Sequence, residues 1–223
     1  MRLKKRFYLF TGGSMEVAAV LLVLIGGGAF LGRELKYVWI RTPLGRTVQR
    51  FEQLPPPQLV VENELGNTAI QAEQPGWKVP DDNYSLFIPE IGAISRVISA
   101  VDAGDANEYL PALQQGVAEA KGMAHPGEKG TTYLFAHSVG SRADFARYNA
   151  VFYLLHKLET GDKVEVVYGG RLFKYEVEIR EILEPKNVKY LVPQSEEEKL
   201  VLATCYPPGT TWKRLVVVAK PAY

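Results

Sequence analysis

The chain has almost no cysteine, histidine or net charge to work with, and each scarcity narrows what it can be. One cysteine and three histidines occur in 223 residues. A single cysteine cannot form an intrachain disulfide. A zinc site of four nitrogen and sulfur side chains would need His125, His137, His156 and Cys205 together, and these are scattered without ligand spacing. The formal net charge is +1, so no basic excess is available for phosphates and no nucleic-acid partner is expected. No internal repeat is evident. What remains is a chain 47% hydrophobic and 23% charged, ordinary for a globular domain with a sizeable core. It carries one thiol, and the question is what that thiol does.

The amino-terminal residues read as a membrane segment. Arg2, Lys4, Lys5 and Arg6 precede an apolar stretch whose clean core is Val17 to Gly32. That core is slightly short of the roughly 20 residues a spanning helix needs, and extending it back to Phe7 supplies the length but includes Glu16. A secretory signal peptide is the rival reading. No clear A-x-A site follows, and Tyr37 and Trp39 suit interfacial anchors, which favours an uncleaved anchor over residues 1–32. Basic density favours the amino terminus inside, although Arg33, Lys36, Arg41 and Arg46 on the other flank leave the count undecided. Residues 33–76 read as a juxtamembrane stalk. Leu54-Pro55-Pro56-Pro57 is extended polyproline in character, and the surroundings are polar and weakly patterned.

Residues 77–223 then read as one folded domain, its first strand near Tyr84. Ser85 to Ile88 is a strand ended by Pro89, and Ala93 to Val101 is its partner across Gly92. Asn107 to Gly116 has a short helical pattern with Leu110 and Leu113 on one face. Lys121 to Gly130 is turn chemistry, and Thr131 to Ala136 is a buried strand delivering His137 at its end. Asp144 can cap a helix to about Leu158, with Tyr148, Val151, Phe152, Leu155 and Leu158 on its buried side. Lys163 to Tyr168 is a strand, Gly169-Gly170 a tight turn. Phe173, Tyr175, Val177 and Ile179 then alternate with charged residues at period two. Many short strands and few helices indicate a mainly β fold, a closed or nearly closed barrel.

The chemistry gathers around Leu200 to Lys220, LVLATCYPPGTTWKRLVVVAK. Cys205 ends one apolar run and Arg214 opens the next, so an antiparallel pair places thiol and guanidinium at the same end of a sheet. A thiol works as a nucleophile when ionised, and cationic neighbours favour that form. His137, in a loop continuing Ser138-Val139-Gly140, adds a proton-transfer group. Nucleophile, proton carrier and permanent cation make a complete set for thiol acyl transfer. Taken singly, each has an ordinary alternative. Lone cysteines in apolar strands are mostly small buried hydrophobes, and a strand-end histidine or arginine is commonly structural.

The stretch LATCYPPG followed by KRLVVVA, and the earlier PGEKGTTYLFAHS, together resemble the sortase family of membrane-bound cysteine transpeptidases. The order His, Cys, Arg agrees, and the resemblance covers about Tyr84 to Ala222. It implies a closed eight-stranded sortase-type β-barrel with one or two short helices, behind an amino-terminal transmembrane helix. It implies catalytic roles for His137, Cys205 and Arg214, with Ser138 and Thr204 as substrate contacts. The implied substrates are surface proteins bearing an LPXTG-like signal. The implied acceptor is an amine of a peptidoglycan precursor or a pilin lysine. No cofactor is expected, and calcium dependence is not legible. The implied location is the cell membrane, single-pass, with the amino terminus cytoplasmic and the domain outside. Val201 stands where the family often has threonine before the L-x-T-C run, which leaves the subclass open. A thiol hydrolase on the same barrel, or a non-catalytic surface-binding module, are the alternative readings. His125 reads as a loop residue, His156 as structural, and Trp77 as either ordinary packing or a lid over the groove.

Overall fold

The computed structural model describes residues 37–38, 41–42, 74–138 and 150–222. The expected membrane anchor lies outside them, and among the described residues no helix is long and apolar enough to cross a membrane.

Eight strands form a closed barrel. They are β1 (Tyr84–Ile88), β2 (Ala93–Val101), β3 (Val117–Ala120), β4 (Gly130–Phe135), β5 (Lys163–Tyr168), β6 (Arg171–Leu183), β7 (Glu198–Tyr206) and β8 (Lys213–Pro221). Their order around the barrel is β1-β2-β3-β4-β7-β8-β6-β5, with β5 returning to β1. The pairs β2–β3 and β4–β7 are parallel; the other six are antiparallel. One α-helix, α1 (Ala106–Gln115), crosses between β2 and β3. It starts where the Asp105 carboxylate accepts the Asn107 amide at 2.9 Å, a side-chain cap for an otherwise orphaned donor. Gly92 closes the β1–β2 turn at φ 59°, a left-handed conformation that glycine adopts without a Cβ clash.

Alternation fills the interior. Leu86 and Ile88 on β1, Leu134 on β4, Val164 and Val166 on β5, Tyr175 and Val177 on β6, Leu200 and Leu202 on β7, and Leu215 and Val217 on β8 share one buried cluster. A second apolar cluster forms outside the barrel wall, from Val201, Ala203, Val216 and Val218 with Tyr133, Phe135, Leu183 and Tyr190 packed against them. Strands apolar on both faces read as unbroken hydrophobic runs, which is the pattern of LVLAT and LVVVA.

Four expectations need correcting. The strand β3 has no counterpart in the sequence reading, since Val-Ala-Glu-Ala carries little β-propensity; all four residues are nevertheless buried. Ile179 was expected inside with Tyr175 and Val177, yet it is 42% exposed. The β6–β8 register shifts between Val177 and Ile179, and such a bulge reverses the faces beyond it. Leu110 was paired with Leu113, but only Leu113 is buried; Leu110 is 42% exposed. The helix expected from Asp144 lies outside the described residues up to 149. Its described remainder is a turn and a 3-10 helix, Tyr153–Lys157. Phe152, Leu155 and Leu158 are all fully buried, and their three-residue spacing suits a 3-10 period.

Part of the expected stalk lies against the domain. Arg41 Nη2 meets the Asp162 carboxylate at 2.6 Å, and the Tyr37 hydroxyl donates to the Lys157 carbonyl at 3.4 Å. Trp77 packs on Phe87 with ring centroids 5.2 Å apart, and its Nε1 donates to Glu165 at 2.7 Å. That places it against β1 and β5, as ordinary packing.

Leu202 faces the barrel interior at 0% exposure. Replacing it with alanine should lower unfolding free energy by about 2–5 kcal/mol, read as a shifted urea midpoint at unchanged slope.

Candidate active site

The ends of β7 and β8 bring two of the three expected residues, Cys205 and Arg214, together, and His137 lies two residues beyond the end of β4; period-two geometry decides which way they face. On β7, Leu200 and Leu202 face the core cluster, while Val201 and Ala203 face the outer one. Cys205 continues the outer set. On β8, Leu215 and Val217 face inward and Val216 and Val218 outward, so Arg214 is outer as well. On β4, Leu134 is inside, Tyr133 packs on the outer cluster, and Phe135 touches both clusters. Two residues further, His137 shares their parity. The site therefore stands on the outer wall of the barrel, at the end of an apolar floor.

Cys205 and Arg214 are direct cross-strand partners in the antiparallel β7–β8 pair. Arg214 Nη1 donates to the Cys205 Sγ at 3.4 Å, and also to the Lys213 carbonyl at 3.3 Å. The sulfur thus accepts a hydrogen bond from a permanent cation. Both residues are half-buried. His137 arrives from the other side of β7. The parallel β4–β7 register puts Phe135 opposite Ala203, and the Ala136 amide donates to the Ala203 carbonyl at 3.2 Å. That register, continued two places, would match position 137 with position 205.

Burial lowers the His137 pKa from its ordinary value, because lost hydration penalises the imidazolium. Tyr133 lies within the field of Arg214. Burial raises the pKa of its phenol, and the guanidinium opposes that rise.

Ser138 and Thr204, expected as substrate contacts, are 1% and 4% exposed. The alternation that turns Cys205 outward turns Thr204 inward, where its hydroxyl donates to the Ala136 carbonyl at 2.7 Å. Both side chains are buried. Residues the sequence reading passed over are Tyr133 and Phe135, which follow from the parity of His137. Leu183 and Tyr190 were passed over too; they come from the end of β6 and the connection after it and carry no local signal.

The other two histidines stand apart from this group. His125 Nδ1 lies 3.0 Å from the buried Glu119 carboxylate, which also accepts the Tyr84 hydroxyl at 2.8 Å, and its ring stacks on Tyr168. Burial, reinforced by Glu119, pushes the Tyr84 phenol far above its usual range. His156 Nδ1 lies 2.9 Å from the Tyr153 carbonyl. Among the described residues, no three acidic, histidine or cysteine side chains are grouped to hold a metal ion.

Comparison with known proteins gives a consistent result. The family model described as the sortase domain matches residues 86–222. Sortase D of Bacillus subtilis (strain 168) is 27% identical over 157 residues, covering 69% of this chain and 72% of that protein. Among solved structures, a lid mutant of sortase A from Corynebacterium diphtheriae superposes with a TM-score of 0.53 at 24% identity. That match covers 64% of this chain and 71% of the other. Sortase C-1 from Actinomyces oris gives 0.54 at 22% identity, covering 65% and 76%. A Clostridium perfringens sortase D5 transpeptidase gives 0.52 at 22%, covering 66% and 82%. The structural likenesses establish the shared barrel.

An NMR titration should find the His137 imidazole midpoint below the roughly 6.5 of an unperturbed histidine. The unfolded chain then takes up this proton first as pH falls. His137 thus lowers stability as pH drops through the window between 6.5 and its own lowered value, and leaves it unaffected above. A midpoint above 6.5 would contradict the burial of the ring.

Proposed function

The chain belongs to the sortase family, a family of cysteine transpeptidases, and we propose that Cys205, His137 and Arg214 carry the acyl transfer. The observation behind this assignment is the hydrogen bond from Arg214 to the Cys205 sulfur, on the strand face that His137 shares.

In the proposed reaction the thiol proton passes to the neutral His137. The sulfur attacks the scissile peptide carbonyl; a carbon–sulfur bond forms and the carbonyl oxygen becomes an oxyanion. Arg214, already donating towards the sulfur, stabilises that charge with its remaining N–H groups. Collapse breaks the carbon–nitrogen bond, and the leaving amine takes the proton from His137. An incoming amine then attacks the thioester and gives its proton to His137. The carbon–sulfur bond breaks, and the proton returns to the sulfur. His137 accepts a proton as neutral imidazole in each half and gives it up again, first to the leaving amine and then to the sulfur.

The substrates we infer are surface proteins carrying an LPXTG-like signal, laid across the half-buried Tyr133, Phe135, Leu183 and Tyr190 that cover the outer apolar cluster. The acceptor is an amine of a cell-wall precursor, or a pilin lysine. Water can resolve the same thioester, which would make the chain a cysteine endopeptidase when no amine is present. Residues 1–32 would anchor it in the cell membrane in a single pass, amino terminus cytoplasmic and barrel outside. The basic cluster and apolar run of that segment support this reading.

Incubating the full-length chain in detergent with an LPXTG-type peptide and hydroxylamine should give the hydroxamate. Cleaved acid alone would favour hydrolysis, and no turnover with any such peptide would leave a binding module. Cys205→Ala should abolish turnover, by roughly a thousandfold or more, with an unchanged circular dichroism spectrum. Arg214→Lys should lose roughly a hundredfold in kcat/KM, since an ammonium does not reproduce the planar donor fork. Near-normal rates in that variant would reduce Arg214 to a structural cation.

A further inference from the structure

Thr204 precedes the nucleophile, yet its side chain is 4% exposed and points away from the face that carries Cys205. A buried hydroxyl in a strand end needs a partner, and the partner here is specific. Oγ1 donates to the Ala136 carbonyl at 2.7 Å, across the seam between β7 and β4. The neighbouring rung is the Ala136 amide to the Ala203 carbonyl at 3.2 Å. Ala136 is thus held by both of its backbone polar groups to two consecutive residues of β7, and its next neighbour is His137. Thr204's next neighbour is Cys205. The two residues that must exchange a proton are each one position beyond the same side-chain hydrogen bond.

We propose that Thr204 is a positioning residue, whose hydroxyl fixes the spacing of His137 and Cys205 by tying the ends of β4 and β7 together at Ala136. This rests on the assignment of Cys205 and His137 as the reacting pair. The chemistry explains why threonine suits the position. The regular parallel ladder runs as far as Phe135 and Ala203, and at the next step a side chain supplies the donor. A β-branched residue has few χ1 choices, so little rotamer freedom is lost in holding the hydroxyl on the carbonyl. Valine has the same shape without the donor. It would leave the Ala136 carbonyl unpaired and the strand ends free to separate. Proton transfer between heavy atoms is steeply distance-dependent, so a small displacement costs rate while barely touching substrate affinity.

The test uses the full-length chain and two readouts. The first is turnover of an LPXTG-type peptide with hydroxylamine. The second is the pH dependence of iodoacetamide alkylation, read by mass as a single adduct because Cys205 is the only thiol. Thr204→Val is expected to lower kcat at least about tenfold with KM within about threefold, and to displace the alkylation profile. Thr204→Ser, which keeps the hydroxyl, should restore most of both. A residue that merely stabilises the barrel would lower the melting temperature and leave kcat per folded molecule and the alkylation profile at wild-type values. That result overturns the proposal. Should Thr204→Val fail to fold, Thr204→Ser and Thr204→Ala are compared instead. Serine at least about tenfold faster than alanine supports the tie, and equal rates overturn it. Failure of the underlying assignment looks different: Cys205→Ala would then retain turnover, whatever the substitutions at Thr204 do.

Discussion

Six consecutive pairs, from Gly130 opposite Glu198 to Phe135 opposite Ala203, join β4 to β7 in parallel, and the geometry of the site hangs on that register. Parallel neighbours cannot be joined by a tight turn, so the chain between these strands makes a long excursion through the 3-10 helix, β5 and β6 before returning. The excursion closes the barrel, because β5 pairs with β1 and β6 with β8. It also ties Ala136, the residue before His137, to Ala203 and Thr204, the residues before Cys205. A slip of one residue in this seam would move His137 past Cys205 and exchange the inner and outer faces of a strand. Buried Leu134, Leu200 and Leu202 resist such a slip, since each would leave the core.

The same strands serve two apolar surfaces, and that is why the site has a floor. Inside, β7 and β8 contribute leucines and valines to a closed core. Outside, Val201, Ala203, Val216 and Val218 are also buried, under Tyr133, Phe135, Leu183 and Tyr190. A β-strand facing water would alternate apolar with charged residues. These do not, because the outer face is covered at one end and leads into Cys205 and Arg214 at the other. Half-burial of the reacting groups follows from this setting. It partly desolvates His137, which lowers the pKa of the ring, and it partly shields the Arg214–sulfur contact from bulk water, where a charged hydrogen bond would be weaker.

Elsewhere polar groups are used to hold the ends of the structure. The Glu119 carboxylate, 1% exposed, is met by the Tyr84 hydroxyl and the His125 ring, and Glu198 accepts from both the Tyr175 hydroxyl and the Gly127 amide. These contacts fasten the connection between β3 and β4 to the barrel, and thereby the start of the strand that ends at His137. Arg41 does the equivalent for the stretch ahead of the barrel, through Asp162. The His125 ring meets a buried carboxylate and the His156 ring a backbone carbonyl, settings that residue type alone does not separate.

Much of this was legible in the residues. The strands β1, β2, β4, β5, β7 and β8, the Gly169-Gly170 turn, and the pairing that sets Cys205 against Arg214 all follow from alternation and turn chemistry, which are local. The strand β3 was not, because a short Ala-Glu-Ala segment becomes a strand only when neighbours on both sides pair with it. Nor was the outward turn of Ile179, which depends on a bulge that exists only in the β6–β8 ladder. Thr204 shows the division most sharply. The sequence by itself determined that a threonine precedes the thiol and that the two must point to opposite faces. Only the tertiary structure decided that the inward face meets the Ala136 carbonyl, because that contact spans 68 positions of chain and is set by how the barrel closes.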